Sequence, residues 1–371
     1  MRFRVEREVL ADAVAWTARS LPSRPPVPVL AGVLLEVDGQ RLSVSGFDYE
    51  VSTRVGIDVV AESAGRALVS GRLLAEITRS LPAHPVDLEV NGARVELTCG
   101  SARFTLPVMP VEDYPSLPPM PPTAGALESD VFASAVGQVV VAAGRDDTLP
   151  VLTGVRFEID GERVTMAATD RYRLAVRELT WRPEQPGLTA TALVPARTLW
   201  ETAKSMASGA EVTLALAIGG TGEGMIGFAG SERRATTRLL DGEFPKYRSL
   251  LPSEHAALAH VPTAALTEAV KRVALVAERN TPVRLRFGAG ELVLEAGGAD
   301  EAQASECLEI GFEGDDLMIA FNPGFLLDGL NAIDSDTARM SFTSASKPAV
   351  LTGKEGGPDY RYLLMPVRLS G

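Results

Sequence analysis

The 371-residue chain is 46% hydrophobic and 23% charged, with a formal net charge of −12. This is ordinary globular composition, enough for two or three domains at roughly 150 residues each. It holds no apolar run near the roughly 18 residues that span a bilayer, no signal-peptide core in MRFRVEREVL, and too few cysteines for a disulfide frame.

A short strand and then an amphipathic helix over 7–21 open the chain, and a second helix is expected over 71–81. Alternating stretches RLSVSG, STRVGIDVV and DLEVNGARVELT read as strands between and after them. Residues 28–41, PVLAGVLLEVDGQR, then return at 150–163 as PVLTGVRFEIDGER, an ungapped offset of 122 with nine of fourteen positions identical. So long a spacing means duplicated domains. VLADAV (9–14) faces VFASAV (131–136), and Asp48 in SGFDYEV faces Asp170 in AATDRYRLAV. ALVSGRLLAEITRS (67–80) matches ALVPARTLWETAKS (192–205), so the next helices are expected over 129–144 and 196–206. Tyr114-Pro115 and Phe244-Pro245 close the two units.

A fainter third copy begins with ALTEAVKRVALVAERNTPVRLRF (265–287), whose helix is expected over 263–279. GELVLEA (290–296) parallels ERVTMAA (162–168), and Asn322-Pro323 opens a last helix over 323–333. The units are read as 1–122, 123–253 and 254–371, divided by SLPPMPPTAG and LPSEHAALAHVP. Each runs strand, helix, strands, helix, strands: an α+β domain with two helices on one face of antiparallel sheets.

No chemistry-bearing motif survives its simpler reading. GEGMIG (222–227) fits G-x-G-x-x-G, but a dinucleotide site needs a helix after the loop, and MIGFAG continues as a strand. No GKS or GKT follows a Gly-rich stretch. Arg145-Asp146-Asp147 and Asp170-Arg171 have no His or second acidic pair beside them, and Asp48 at the Asp170 position points to a turn residue of the shared fold. His255 and His260 have no metal spacing and read as structural. Cys99 and Cys307 are expected to be buried thiols in a reducing cytoplasm. No nucleophile–base pair, metal set or cofactor site emerges, so the chain does not read as an enzyme.

The acidic balance argues at first sight against nucleic acid, since gripping phosphates needs a basic surface. The helices modify this. Arg72-Glu76-Arg79 and Arg197-Glu201-Lys204 repeat at i, i+4, i+7, opposite apolar stripes of Leu74, Ile77 and Leu81, or Leu199 and Met206. The plain alternative is a solvated face laced with intrahelical ion pairs. Summed over the six helices the charge is slightly positive, so the acid lies elsewhere and a helical surface suits a polyanion better than the rest of the chain. In 263–279, Leu275 lies opposite the core stripe of Leu266, Val270, Val273 and Ala277; beside Val276 it is a candidate for half of a subunit contact.

Taken in order, RPPVPVLAGVLLEV, DDTLPVLTGVRFE, ATDRYRLAV, LLDGEFPKYRSLLP, FNPGFLLDGLNAI and YLLMPVRL resemble the signatures of the bacterial DNA polymerase III β subunits, the sliding clamps, most closely the actinobacterial branch. The resemblance covers the whole chain. It implies an α+β fold of three tandem clamp domains, each with two helices packed on antiparallel sheets. It also implies a ring-forming homodimer, two chains head to tail around duplex DNA, with helices inward and sheets outward. Duplicated domains then let one heterologous contact close instead of running on as a filament. Backbone and shape contacts without sequence preference would permit sliding. The implied protein is a non-catalytic processivity factor without cofactors, cytoplasmic and nucleoid-associated. It would hold the replicative polymerase α subunit, the clamp loader and other proteins through short peptide motifs.

Position by position, the resemblance places a partner-peptide pocket between the second and third domains. It would be formed by Leu152, Thr169, Arg171, Tyr172, Arg173, Leu174, Pro245, Ser249, Leu250, Asn322, Phe325, Met365, Pro366, Val367, Arg368 and Leu369, with Arg173 and Arg368 guiding polar groups at the rim. Arg171-Tyr172 departs from the small-residue–His pair common in the family, which would narrow the rim, and Ser249 stands where many members carry a longer side chain; both bear on peptide preference. DNA contacts would fall on Arg24, Arg72, Arg79, Arg145, Arg197 and Lys204. The dimer contact would join Arg103, Phe104 and Leu106 to Leu275 and Val276, with Arg103 near acids such as Glu301. Two other readings compete: a nucleotide-dependent enzyme using GEGMIG, and a duplicated clamp paralogue whose altered pocket resists a peptide-like inhibitor.

Overall fold

The computed structural model describes residues 1–218, 224–277, 281–298, 302–353 and 359–368. Among them are six α-helices at the positions the apolar periodicity marks: α1 Arg7–Arg19, α2 Gly71–Ser80, α3 Ser129–Val140, α4 Ala196–Met206, α5 Thr263–Val273 and α6 Pro323–Ala332. Some ends are shorter than expected. After Val273 the chain tightens into a single 3-10 turn, Ala274–Val276, which closes with Ala277 N–H donating to Ala274 O. Asn322 caps α6, its Oδ1 accepting from Phe325 N at 3.1 Å, with Pro323 in the first turn.

The chain forms two compact units, and neither is one duplicate. The first comprises Met1–Ala133, Arg182–Gln185 and Thr198–Leu239; the second comprises Ser134–Trp181, Pro186–Arg197 and Leu240–Gly371. The sheets explain this. In the first unit a nine-stranded sheet joins Arg233–Arg238, late in the second duplicate, to Val51–Asp58 of the first, with Thr237 opposite Val51 and Arg233 opposite Val55. In the second unit another nine-stranded sheet joins Tyr360–Leu364, late in the third duplicate, to Arg173–Thr180 of the second, with Leu364 opposite Arg173. Sheets expected within each duplicate thus run on into the next. A strand edge left unpaired is a row of unsatisfied N–H and C=O groups, and the neighbour's last strand satisfies it.

Among the sheet edges left open within the described residues, two correspond to the strands that pair at the internal junctions. Ala102–Pro107 ends the five-stranded sheet of the first unit, and Ala304–Glu309 ends the four-stranded sheet of the second.

In the first unit α1 packs on α2, and Leu10, Val14, Leu74 and Ile77 bury against Leu35, Val44, Leu88 and Leu97 of the sheets. In the second, α5 packs on α6. A Cβ at Gly329 would lie 2.5 Å from the Tyr362 ring, so only glycine lets α6 approach the C-terminal strand this closely.

Several motif readings resolve here. Asp48 accepts from Glu50 N and Val51 N at 3.0 and 2.6 Å, and Asp170 accepts from Tyr172 N and Arg173 N at 3.0 and 3.1 Å. The following residues, Tyr49 and Arg171, both adopt positive φ, 74° and 78°. Both aspartates are turn residues. Asp146 likewise caps a turn, accepting from Thr148 N and Oγ1 at 2.9 and 2.7 Å. In GEGMIG, Gly222 and Glu223 lie outside the described residues, but Met225–Gly230 is a strand paired with Glu211–Ala217, not a helix. Cys99 is buried as expected; Cys307 is exposed, on the edge strand Ala304–Glu309, which corrects the expectation of two buried thiols.

Candidate functional site

The pocket expected at the second junction falls within the second unit, where its residues can be followed one by one. Arg173–Thr180 begins directly after the Asp170 turn. Thr169 Oγ1 accepts from Arg171 N at 3.1 Å and donates to Arg173 O at 2.7 Å, which fixes the hairpin. Arg173 does not reach the rim. Its side chain is only 5% exposed, with Nε on Asp170 Oδ2 at 3.0 Å and Nη1 on Asp328 of α6, and its guanidinium lies 4.3 Å from the centre of the Phe325 ring. Burial opposes its charge, but Tyr362, Asp328 and Asp170 outweigh that and hold its pKa above the ordinary arginine value. A buried charge needs such partners. The expectation that Arg173 guides ligand groups is therefore corrected: it ties the hairpin to α6. Asp328 carries no sequence signal for this role.

The floor is apolar. Ala167, Leu174, Val176, Leu193, Phe244, Tyr247 and Leu363 form one buried cluster, with Val151, Leu240, Leu251 and Val350 against it. Leu174 is 1% exposed and belongs to this core, so it supports the site from beneath. The loop after Phe244 is pinned through Glu158, which accepts from Tyr247 Oη at 3.0 Å, Arg248 Nη2 at 2.5 Å and Arg156 Nε at 2.7 Å. Pro245 is half-buried and Leu250 half exposed, while Ser249 Oγ is spent on Lys246 O at 2.8 Å. Leu152 is half-buried, its carbonyl accepting from Gly144 N at 2.7 Å.

Above this floor lies an exposed apolar set. Tyr172, 63% exposed, stacks on Phe325 with ring centroids 6.2 Å apart. Met365 and Val367 flank half-buried Pro366 and are also exposed, although their backbones are fixed: Met365 N donates to Tyr172 O at 2.9 Å and Val367 N to Ala320 O at 2.8 Å. Arg368 is exposed and Leu369 lies outside the described residues. Asn322 serves as the α6 cap, so its carboxamide oxygen is engaged.

The first unit holds the duplicate of this arrangement, and it is polar. Arg238 N donates to Glu50 O at 3.0 Å, repeating the Met365–Tyr172 bond, but the two side chains there make an ion pair at 4.0 Å. The second unit carries Tyr172 and Met365 instead.

Arg24, Arg72, Arg79, Arg145, Arg197 and Lys204 are all exposed. Among the described residues none of the six pairs with a carboxylate; Glu201 pairs instead with Arg19 of α1 at 3.3 Å. The intrahelical ion pairs of the solvated-face alternative are not made. Of the expected subunit-contact residues, Leu275 is 84% exposed, Arg103 and Phe104 are exposed and Val276 is intermediate. Leu106 is 2% exposed within the first unit's core, so its side chain is unavailable to a partner; this corrects the expectation, and strand alternation, which puts residues two apart on one face, would have grouped it with exposed Phe104. Glu301 lies outside the described residues.

Comparison with known proteins matches this architecture along the whole chain. Models of the DNA polymerase III beta subunit N-terminal, central and C-terminal domains match residues 1–118, 126–246 and 248–368. The beta sliding clamp of Streptomyces coelicolor is 60% identical, covering 100% of both chains. The beta sliding clamp homolog GriR of Streptomyces muensis is 48% identical over 99% of each. The crystal structure of the Pseudomonas aeruginosa sliding clamp bound to griselimycin is 28% identical with a TM-score of 0.88, covering 100% of both chains. The chain belongs to the DNA polymerase III beta subunit family, the bacterial sliding clamps.

Proposed function

We propose that two copies of this chain join head to tail into a ring that encircles duplex DNA and tethers the replicative polymerase, with clamp domains at 1–122, 123–253 and 254–371. One observation carries the ring. At each internal junction the last strand of one duplicate pairs with the strand beginning at Val51 or Arg173 of the duplicate before it. The same rule leaves the outer edges of two strands open among the described residues: Ala102–Pro107, the last of the first duplicate, and Ala304–Glu309, the third duplicate's counterpart of Val51–Asp58. Repeated between chains, it joins the first edge of one copy to the second edge of another, a heterologous contact that closes with two copies. Leu275 follows α5, which packs on Ala304–Glu309, and its exposed side chain suits this seam, as does Phe104.

Within the ring, the exposed cations Arg24, Arg72, Arg79, Arg145, Arg197 and Lys204 would contact DNA phosphates weakly and without sequence preference. The exposed Tyr172, Leu250, Met365 and Val367, with half-buried Phe325, over their apolar floor would take short partner peptides from the polymerase α subunit, the clamp loader and other proteins. That the Pseudomonas aeruginosa clamp has been solved bound to griselimycin supports ligand capture in this family. We place the protein in the cytoplasm with the nucleoid. The resemblance to GriR keeps a second clamp copy as the alternative, but 60% identity to the Streptomyces coelicolor clamp favours the primary role.

The deciding experiment is sedimentation of the full chain, followed by loading onto nicked circular DNA and release on linearising it. A dimer retained on circles and lost from linear DNA is expected. A monomer, or equal retention on both, overturns the reading.

A further inference from the structure

The two internal junctions act as each other's control. In the second unit Arg361 stands opposite Val176, and Glu178 holds its guanidinium at 2.7 Å. At the equivalent place in the first unit Arg234 stands opposite Arg54, and the position matching Glu178, offset by 122, is Gly56. The carboxylate that neutralises the arginine at one junction is gone at the other, and a second arginine faces it. Among the described residues the Arg54 side chain donates only to Ser43 Oγ, at 3.1 Å, and the Arg234 side chain has no hydrogen bond or ion pair. Both are exposed. The neighbouring cations are already engaged, Arg41 by Asp58 and Glu232, and Arg238 by Glu50 and the Tyr49 carbonyl. Like charges directly opposite on antiparallel strands destabilise a sheet, so the fold itself gains nothing from this pair.

We propose that Arg54 and Arg234 form a docking point for a carboxylate side chain on an acidic segment of a partner protein. Directly opposite residues place their Cβ atoms about 5 Å apart, so two guanidinium forks can converge on one carboxylate. The same row across the sheet continues into Ser45 on one side and Ala229 on the other, small residues that leave the arginines open to approach. A nucleic acid strand fits less well. It needs a continued row of free cations, whereas here Arg41 and Arg238 are already paired with Asp58, Glu232 and Glu50.

The test is fluorescence anisotropy of a labelled Asp/Glu hexapeptide against the full chain at low salt. Arg54→Gln and Arg234→Gln should each weaken binding about tenfold, the scale of one lost charge-assisted hydrogen bond. Gly56→Glu, which restores the carboxylate of the other junction, should do the same. Its Cβ would lie 2.7 Å from the end of the Arg41 side chain, which must shift on Asp58 and Glu232 to admit it. Arg54→Gln should melt at the same temperature as the parent or higher. Equal peptide binding by parent and variants overturns the proposal, and so does a fall in melting temperature, which would assign the pair a structural role. If a short duplex DNA loses affinity in Arg54→Gln while the peptide does not, the site belongs to nucleic acid and the proposal fails.

Discussion

Tyr172 stacks on Phe325 across the second and third duplicates, with 28° between the ring planes and 6.2 Å between centroids. Phe325 also meets the buried Arg173 guanidinium, whereas Tyr172 is largely in solvent. The two rings therefore answer different questions when removed.

Tyr172→Ala should leave stability within about 0.5 kcal/mol, as for an exposed side chain. If Tyr172 is an anchor of the peptide site, the same change should weaken a Gln-containing peptide with spaced Leu and Phe anchors by about 2 kcal/mol, near thirtyfold. Calorimetric titration reads this directly, and unchanged affinity moves the site elsewhere. Point variants are preferable to truncation from Met365, whose N–H, like that of Val367, is part of the fold.

Arg173→Met removes a cation and leaves Asp170 and Asp328 facing each other. Breaking one partner of a buried pair costs about 3 kcal/mol or more, which denaturant unfolding should show as a lower midpoint. A loss below about 1 kcal/mol would mean the guanidinium is not what ties the hairpin to α6.

Leu275→Asp and Leu106→Ala separate surface from core. The first should give monomers of unchanged fold by sedimentation, because a charge would enter an apolar seam unpaired. The second should lower stability by about 2–5 kcal/mol, since Leu106 fills the first unit's core, without a specific effect on the dimer. If Leu275→Asp remains fully dimeric, the contact lies elsewhere.

Glu158 makes the pH dependence of the pocket loop testable. Burial works against its charge, but hydrogen bonds from Arg248, Arg156 and Tyr247 outweigh it and hold its pKa below the usual glutamate value. A carboxyl held low in the folded state contributes stability that is fully present above its unfolded pKa, about 4.3, and is lost as pH falls through the folded value. The stability gap between the parent and Glu158→Gln should therefore be constant near neutrality and close under acid. A gap that widens toward low pH would contradict this assignment.

Changing Arg72, Arg79, Arg197 and Lys204 together to Glu should weaken clamp retention on DNA and flatten its salt dependence, since each lost phosphate contact removes about one unit of counterion slope. Unaltered retention would leave these residues as a solvated face.

The sequence by itself determined the duplication, the helix positions and the turn at Asp48 and Asp170, because each is written in local periodicity or in a repeat offset. It also marked Leu275, since a helical wheel needs only neighbouring residues to show which side is apolar. Tertiary structure decided the rest. Leu106 and Phe104 sit two apart on one strand, yet one is core and the other exposed. Arg173 looks like a surface cation until Asp328, 155 residues later, is brought beside it. Arg54 and Arg234 become neighbours only because the sheet continues from one duplicate into the next. In each case the energetic partner lies far along the chain, and local pattern carries no record of which distant group will satisfy a strand edge or a buried charge.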